Sequence, residues 1–187
     1  MIRNAEKSDG AQIIPLVLII LADMELPFLT KYGYQKTQEI LAQAYLDETF
    51  RYSYRRALVL EEQGEIVGVA YGYLAEAEQL IDLPLTDLLS QFEIDSTEKM
   101  FHDLETFPDE WYLDSIAVRD DQRGRGVGSK LLAALPDFAR ANGAKRIGLN
   151  VDEGNPQAKK LYLRHGFEVV GEIVLSGHQY EHLQKEI

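Results

Sequence analysis

A mixed α/β domain is the fold class this sequence predicts, and three observations carry it. Two helical stretches open the chain, with apolar residues recurring at helical spacing. An alternating pattern with a period of two then takes over at residues 57–61 and 66–74. From residue 111 onward strand-like and helix-like runs alternate, and the first of these strands leads into a glycine-rich turn, Arg123-Gly124-Arg125-Gly126-Val127-Gly128. With 187 residues, 45% of them hydrophobic and 27% charged, the chain has the size and composition of one domain, 1–187, with a sizeable core.

In chain order, residues 1–5 read as a short edge strand. Ser8 is placed to cap a helix running to about residue 24, with Asp9 in its first turn. Apolar residues crowd most of that helix's circumference, which predicts burial, and Pro15 predicts a kink or a later start. Pro27 and Gly33 mark a loop. A second helix is expected over 36–50, with Ile40, Leu41, Ala44 and Tyr45 on one face. The runs 57–61 and 66–74, joined through Gly64, form a hairpin.

Residues 75–109 keep no steady period and read as an insertion, with short helices expected at 83–92 and 97–104. Strand 111–118 precedes the glycine turn. The helix after it, 129–142, carries Leu131, Leu132, Leu135 and Phe138 on one stripe, ends at Gly143, and contains Pro136, which predicts a kink. A strand at 146–151 follows, then a helix opened by Asn155-Pro156 and closed at Gly166. Two antiparallel strands, 167–175 and 179–183, end the order.

Composition narrows the function. There is no cysteine, which excludes disulfides, thiolate metal sites and cysteine nucleophiles. The net charge of -12 argues against nucleic-acid binding. The longest apolar run, 13–22, is too short to span a bilayer and no basic leader precedes it, so a cytoplasmic protein away from membranes is expected. The charge is unevenly placed. Residues 75–109 hold ten acids and one base, Lys99, whereas the glycine turn and its flanks carry Arg119, Arg123, Arg125 and Lys130. An anionic ligand at the turn and a cationic one near the acidic stretch would suit that distribution; a solvated acidic face explains the stretch equally well.

A strand, a glycine turn and a helix start together form a phosphate cradle. Three cradles compete. A Walker loop fails because the order here is Gly128-Ser129-Lys130. A dinucleotide turn would use Gly124 and Gly126, with Asp152 as the ribose-binding acid, but polar residues separate the strand from the first glycine. The third reading rests on a second motif. Asn155, Ala158, Leu161, Tyr162, Gly166 and Phe167 form Asn-x-x-Ala-x-x-Leu-Tyr-x-x-x-Gly-Phe, downstream of Arg123-x-x-Gly126-x-Gly128. With these paired motifs the chain resembles the GNAT superfamily of acyl-CoA-dependent N-acetyltransferases, over residues 111–183.

The resemblance implies a mostly antiparallel sheet flanked by helices, with acetyl-CoA as co-substrate. Its pyrophosphate would sit on Arg123, Gly124, Arg125, Gly126, Val127, Gly128 and Ser129, and its pantetheine arm along the backbone of Ile116, Ala117 and Val118. The arm would enter a splayed gap beside the strand ending Leu149-Asn150-Val151, with Asn155 a further cofactor contact. Tyr162 would be the general acid that protonates the departing CoA thiolate after direct attack by an amine; a phenol with a pKa of about 10 suits that task. On spacing alone, Tyr162 reads as a core aromatic on an amphipathic helix rather than an acid, and Asn155 is as much a helix cap as a cofactor contact. Asp114, Glu110 and Glu76 are candidate bases for the acceptor, and no motif marks any of them.

The acceptor would be a small-molecule amine or a peptide amine, cationic if the acidic insertion faces it. A homodimer is compatible with this reading, and so is a non-catalytic acyl-CoA-binding regulatory module. No metal is expected. His178 and His182 fit His-x-x-Glu-His, but they lie on a strand with no room downstream for the further ligand that this pattern needs.

Overall fold

The computed structural model describes residues 1–187. Its centre is one seven-stranded sheet built from β1 (Ile2–Asn4), β2 (Ala57–Glu62), β3 (Glu65–Leu74), β4 (Trp111–Val118), β5 (Arg146–Asp152), β6 (Glu168–Leu175) and β7 (His178–Glu186), in the order β1-β2-β3-β4-β5-β7-β6. Every neighbouring pair is antiparallel except β4 and β5. β3 is buried along almost its whole length, because helices cover both faces of the sheet there.

On one face α1 (Gly10–Asp23), α2 (Pro27–Tyr32), α3 (Tyr34–Ala44) and α4 (Leu83–Gln91) close a core. In it Ile13, Val17, Ile40 and Leu41 meet Val69, Tyr71 and Ala117. On the other face α5 (Val127–Ala141) and α6 (Pro156–Arg164) close a second core, with Leu131, Leu135 and Tyr162 against Ala70, Ile147 and Leu183. Residues alternate between the cores along β2, β3 and β4, as the pleat requires.

Five expectations change in detail. The stretch expected as a loop between Pro27 and Gly33 is α2, with Pro27 in its first turn. Ser8 is not the cap. Glu6 and Asp9 exchange side-chain and backbone bonds across a short 3-10 turn, Lys7–Asp9, and α1 starts after it. Pro15 lies within α1 on its exposed side, where the carbonyl of Ala11 that loses its donor also meets water. The second helix stops at Ala44 rather than near 50, because the Asp47 carboxylate captures the N–H and hydroxyl of Thr49 at 2.8 and 2.6 Å. Residues 97–104 are not helical. They belong to a strap, 95–110, held by carboxylates: Asp95 takes Thr97, Glu78 takes the N–H of Glu105 and the hydroxyl of Thr106, and Asp103 takes Ser176 at the β6–β7 turn.

A bulge interrupts β4. Tyr71 pairs with Ser115 and Gly72 with Leu113, so Asp114 is the extra residue. Trp111 and Leu113 before the bulge and Ile116 and Val118 after it pack toward α5, whereas Ser115 bonds Tyr52 and Ala117 packs toward α1. Asp114 therefore leaves the face of Ile116 and Val118 and points to the α1 side. The bulge is tight: a Cβ on Gly72 would meet the Trp111 ring at 2.3 Å and the Tyr112 carbonyl at 2.4 Å. Gly72→Ala is expected to cost about 1–3 kcal/mol of stability through overpacking. Urea denaturation checks this, and an unchanged midpoint would show that the strand can yield.

Candidate active site

The glycine turn owes its shape to two residues. Gly124 and Gly126 have φ of 75° and 77°, a region that side-chain-bearing residues avoid. Neither would have an atom within 4 Å of an added Cβ, so the space above them is open. α5 begins directly after Gly126. The N–H groups of Val127, Gly128 and Ser129 have no backbone acceptor and form the positive end of a fifteen-residue helix. Arg123 borders this space and pairs with Asp120 at 2.9 Å. Arg125 bonds Gln122 and lies outside the lining, and the Val127 side chain is buried beneath the turn. Ser129 exchanges a 2.7 Å hydrogen bond with His165, which caps the C-terminus of the next helix.

β4 and β5 pair only at Trp111–Ile147 and Tyr112–Gly148. Beyond Tyr112 the β5-facing edge of β4 has no strand partner. A groove of roughly 1070 Å³ fills the opening and runs through the sheet from one face to the other. On the α6 side it is lined by Asn155, Lys160, Tyr162 and Arg164, at its middle by Ile116, Ala117 and Val118, and on the α1 side by Ile19, Ile20 and Asp23. A cleft of roughly 560 Å³ around Gly126, Gly128 and Ser129 adjoins its α6 end and shares Arg123, Gly124 and Arg164 with it.

The Tyr162 ring packs edge-on against Phe167, and its hydroxyl has no partner within the protein. Burial pushes its phenol up to about 12, so it holds its proton at neutral pH. Asn155 caps α6 by accepting the N–H of Ala158 at 3.1 Å, and its amide NH₂ is left over for another acceptor. Asn150, like Arg125, is a candidate that the groove does not gather by its side chain. Its amide donates to the Tyr112 hydroxyl and the Glu105 carbonyl, and its oxygen meets His182 Nδ1 at 2.6 Å.

None of the three candidate bases lines the groove. Asp114 is committed to Arg51 at 2.6 Å and Ser115 at 2.7 Å. Glu110 is fully buried, bonded to His182, Gln184 and the N–H of Phe107. Gly148 makes room for it, since a Cβ there would fall 1.8 Å from Glu110 Oε2. Glu76 is exposed on a separate turn. Sequence reading missed Lys160 and Arg164, whose i, i+4 spacing on α6 was the available signal. It also missed Ile19, Ile20 and Asp23, on a helix whose apolar residues hide any functional face.

The family profile described as "Acetyltransferase (GNAT) family" matches residues 21–167. The chain belongs to the GNAT acetyltransferase family. Members of this family use acetyl-CoA as co-substrate. The sheet agrees: one parallel pair leaves no place for the two mononucleotide-binding halves of a dinucleotide fold. A solved structure described only as an acetyltransferase is 48% identical to this GNAT protein, covers 100% of it and 99% of its own chain, and superposes with a TM-score of 0.92. An L-methionine sulfoximine/L-methionine sulfone acetyltransferase of Pseudomonas aeruginosa is 41% identical over 66 residues, 35% of this chain and 38% of the relative. A spermine/spermidine N(1)-acetyltransferase of Bacillus subtilis is 37% identical over 67 residues, 35% of this chain and 44% of the relative. The matched stretch thus spans about two-fifths of these curated relatives.

Proposed function

We propose that this protein transfers the acetyl group of acetyl-CoA to a primary amine. The groove that threads the sheet where β4 and β5 part carries the reading, because it joins a phosphate cradle to a buried phenol in one continuous space. The free N–H groups of residues 127–129, with Arg123, Lys160 and Arg164, suit the phosphates. The unpaired edge of β4 at Ile116, Ala117 and Val118 suits the amides of the pantetheine arm, which would add to the sheet as an extended strand. This edge also offers backbone N–H groups near a thioester oxygen as it gains negative charge.

The neutral amine nitrogen attacks the thioester carbonyl and the C–S bond breaks; the thiolate takes the Tyr162 proton, and the proton that nitrogen sheds as it becomes an amide restores the phenol through solvent in the groove. A general acid must keep its proton until the leaving group forms; a phenol does so at neutral pH, and burial raises Tyr162 further. Acetyl-CoA mixed with a panel of amines tests the reading by thiol release; binding of acetyl-CoA without amine-stimulated release would favour a regulatory module. Tyr162→Phe is expected to lower kcat by about 10²-fold or more while leaving the KM for acetyl-CoA within about two-fold. An unchanged kcat would return Tyr162 to a packing role against Phe167.

A further inference from the structure

We propose that Asp23 selects the acceptor, binding the second positive charge of a small diamine whose other nitrogen is acetylated; this rests on the transferase reading above. The cradle and the basic residues Arg123, Lys160 and Arg164 occupy the α6 end of the groove, so the acceptor enters from the α1 end. There the lining is Ile19, Ile20 and Asp23, two apolar side chains and one carboxylate. Asp23 is the only acid that lines the groove. It is exposed and unpaired, and the nearest basic residue in sequence, Lys31, is committed to Glu98.

Its position in the fold breaks a local rule. Asp23 is the last residue of α1, and no basic residue stands in that last turn. The free carbonyls at a helix C-terminus already carry partial negative charge, so a carboxylate there is unfavourable unless a cation joins it. Departures of this kind gather at functional positions. The acidic insertion lies outside the groove. Glu78, Asp82, Glu98, Asp103 and Glu105 all hold partners within the protein, and no residue of 75–109 lines the groove. An ammonium at Asp23, an apolar spacer against Ile19 and Ile20, and a neutral amine at the thioester match the residues that line the groove.

Calorimetry on the CoA complex, with 6-amino-1-hexanol, which carries one ammonium, against the neutral 1,6-hexanediol, tests this without relying on turnover. Wild type is expected to bind the amino alcohol about five-fold more tightly at low salt, as one accessible ion pair allows. In Asp23→Asn that preference is expected to fall to about one-fold, with diol and CoA affinities unchanged. Equal binding of the two by wild type, a preference that survives in Asp23→Asn, or equal weakening of both would overturn the assignment. A preference that behaves as expected with no acetyl transfer to hexamethylenediamine would sink the transferase reading and leave Asp23 as an ammonium site. Transfer to the diamine without any preference would do the reverse.

Discussion

Calorimetry of Gly126→Glu with acetyl-CoA is expected to detect no binding, a loss of at least about 10²-fold. Two effects combine at this position. Gly126 has φ of 77°, so any side chain strains the turn by about 1–2 kcal/mol. The larger effect is electrostatic. An added Cβ meets no protein atom within 4 Å, so a glutamate extends into the open space where the phosphates would lie. Like charges about 4 Å apart repel by about 4 kcal/mol at a protein surface, before any donor is blocked. The strain alone leaves the fold intact, so the variant should keep a cooperative melting transition while losing the ligand. A Kd within ten-fold of wild type would mean that the phosphates lie elsewhere.

Arg51→Ala should be among the most destabilising single changes available, lowering stability by about 3–5 kcal/mol. The Arg51 side chain is 2% exposed and bonds Asp114 at 2.6 Å, Asp82 at 3.0 Å, Glu105 at 3.3 Å and the Tyr73 hydroxyl at 3.2 Å. Its guanidinium also lies 4.5 Å from the Phe101 ring centroid. Burial alone would lower its pKa, but the Tyr73 hydroxyl oxygen and the carboxylates of Asp114, Asp82 and Glu105 outweigh that and hold it well above the ordinary range. Removing it leaves three carboxylates facing one another.

The defect should depend on pH. Burial and the neighbouring Asp114 raise Glu105 to about 7, and burial also raises Asp82. A carboxyl whose folded pKa lies above its unfolded value binds more protons when folded, so its ionisation weakens folding as pH climbs between the two values. Without Arg51 nothing offsets that ionisation. The loss should therefore be largest above about pH 7 and shrink toward pH 4.5, read by urea denaturation across the range. A loss independent of pH would make Arg51 a packing residue only.

What could be read from sequence and what could not divides along the range of the interactions. The glycine turn and the Asn155-to-Phe167 pattern are local: their residues sit within one turn or one helix, and spacing alone reports their geometry. The helix expected at 97–104 did not form: Asp95 takes the N–H of Thr97 at its start, and the chain just beyond it, at Glu105 and Thr106, is held by Glu78, many residues away. Arg51 has partners 31, 54 and 63 residues downstream and stands in the short run Phe50-Arg51-Tyr52, where no period marks it. Asp23 was hidden because it becomes a groove residue only once β4 and β5 separate. The acidic stretch was visible as charge, but its use was not. Much of that charge binds the strap to the rest of the fold.

The two rungs that join β4 to β5 have a mechanical meaning. Taken by its hydrogen bonds, the sheet is a four-stranded plate, β1 to β4, and a three-stranded plate, β5 to β7, hinged at residues 111–112 and 147–148. Side chains pin the seam, notably Glu110 against His182 across the break. An extended ligand laid along β4 would complete the ladder that the split leaves unfinished. Substrate affinity and the cohesion of the two plates then become one free energy, so the protein should melt as a more unified body when the groove is filled.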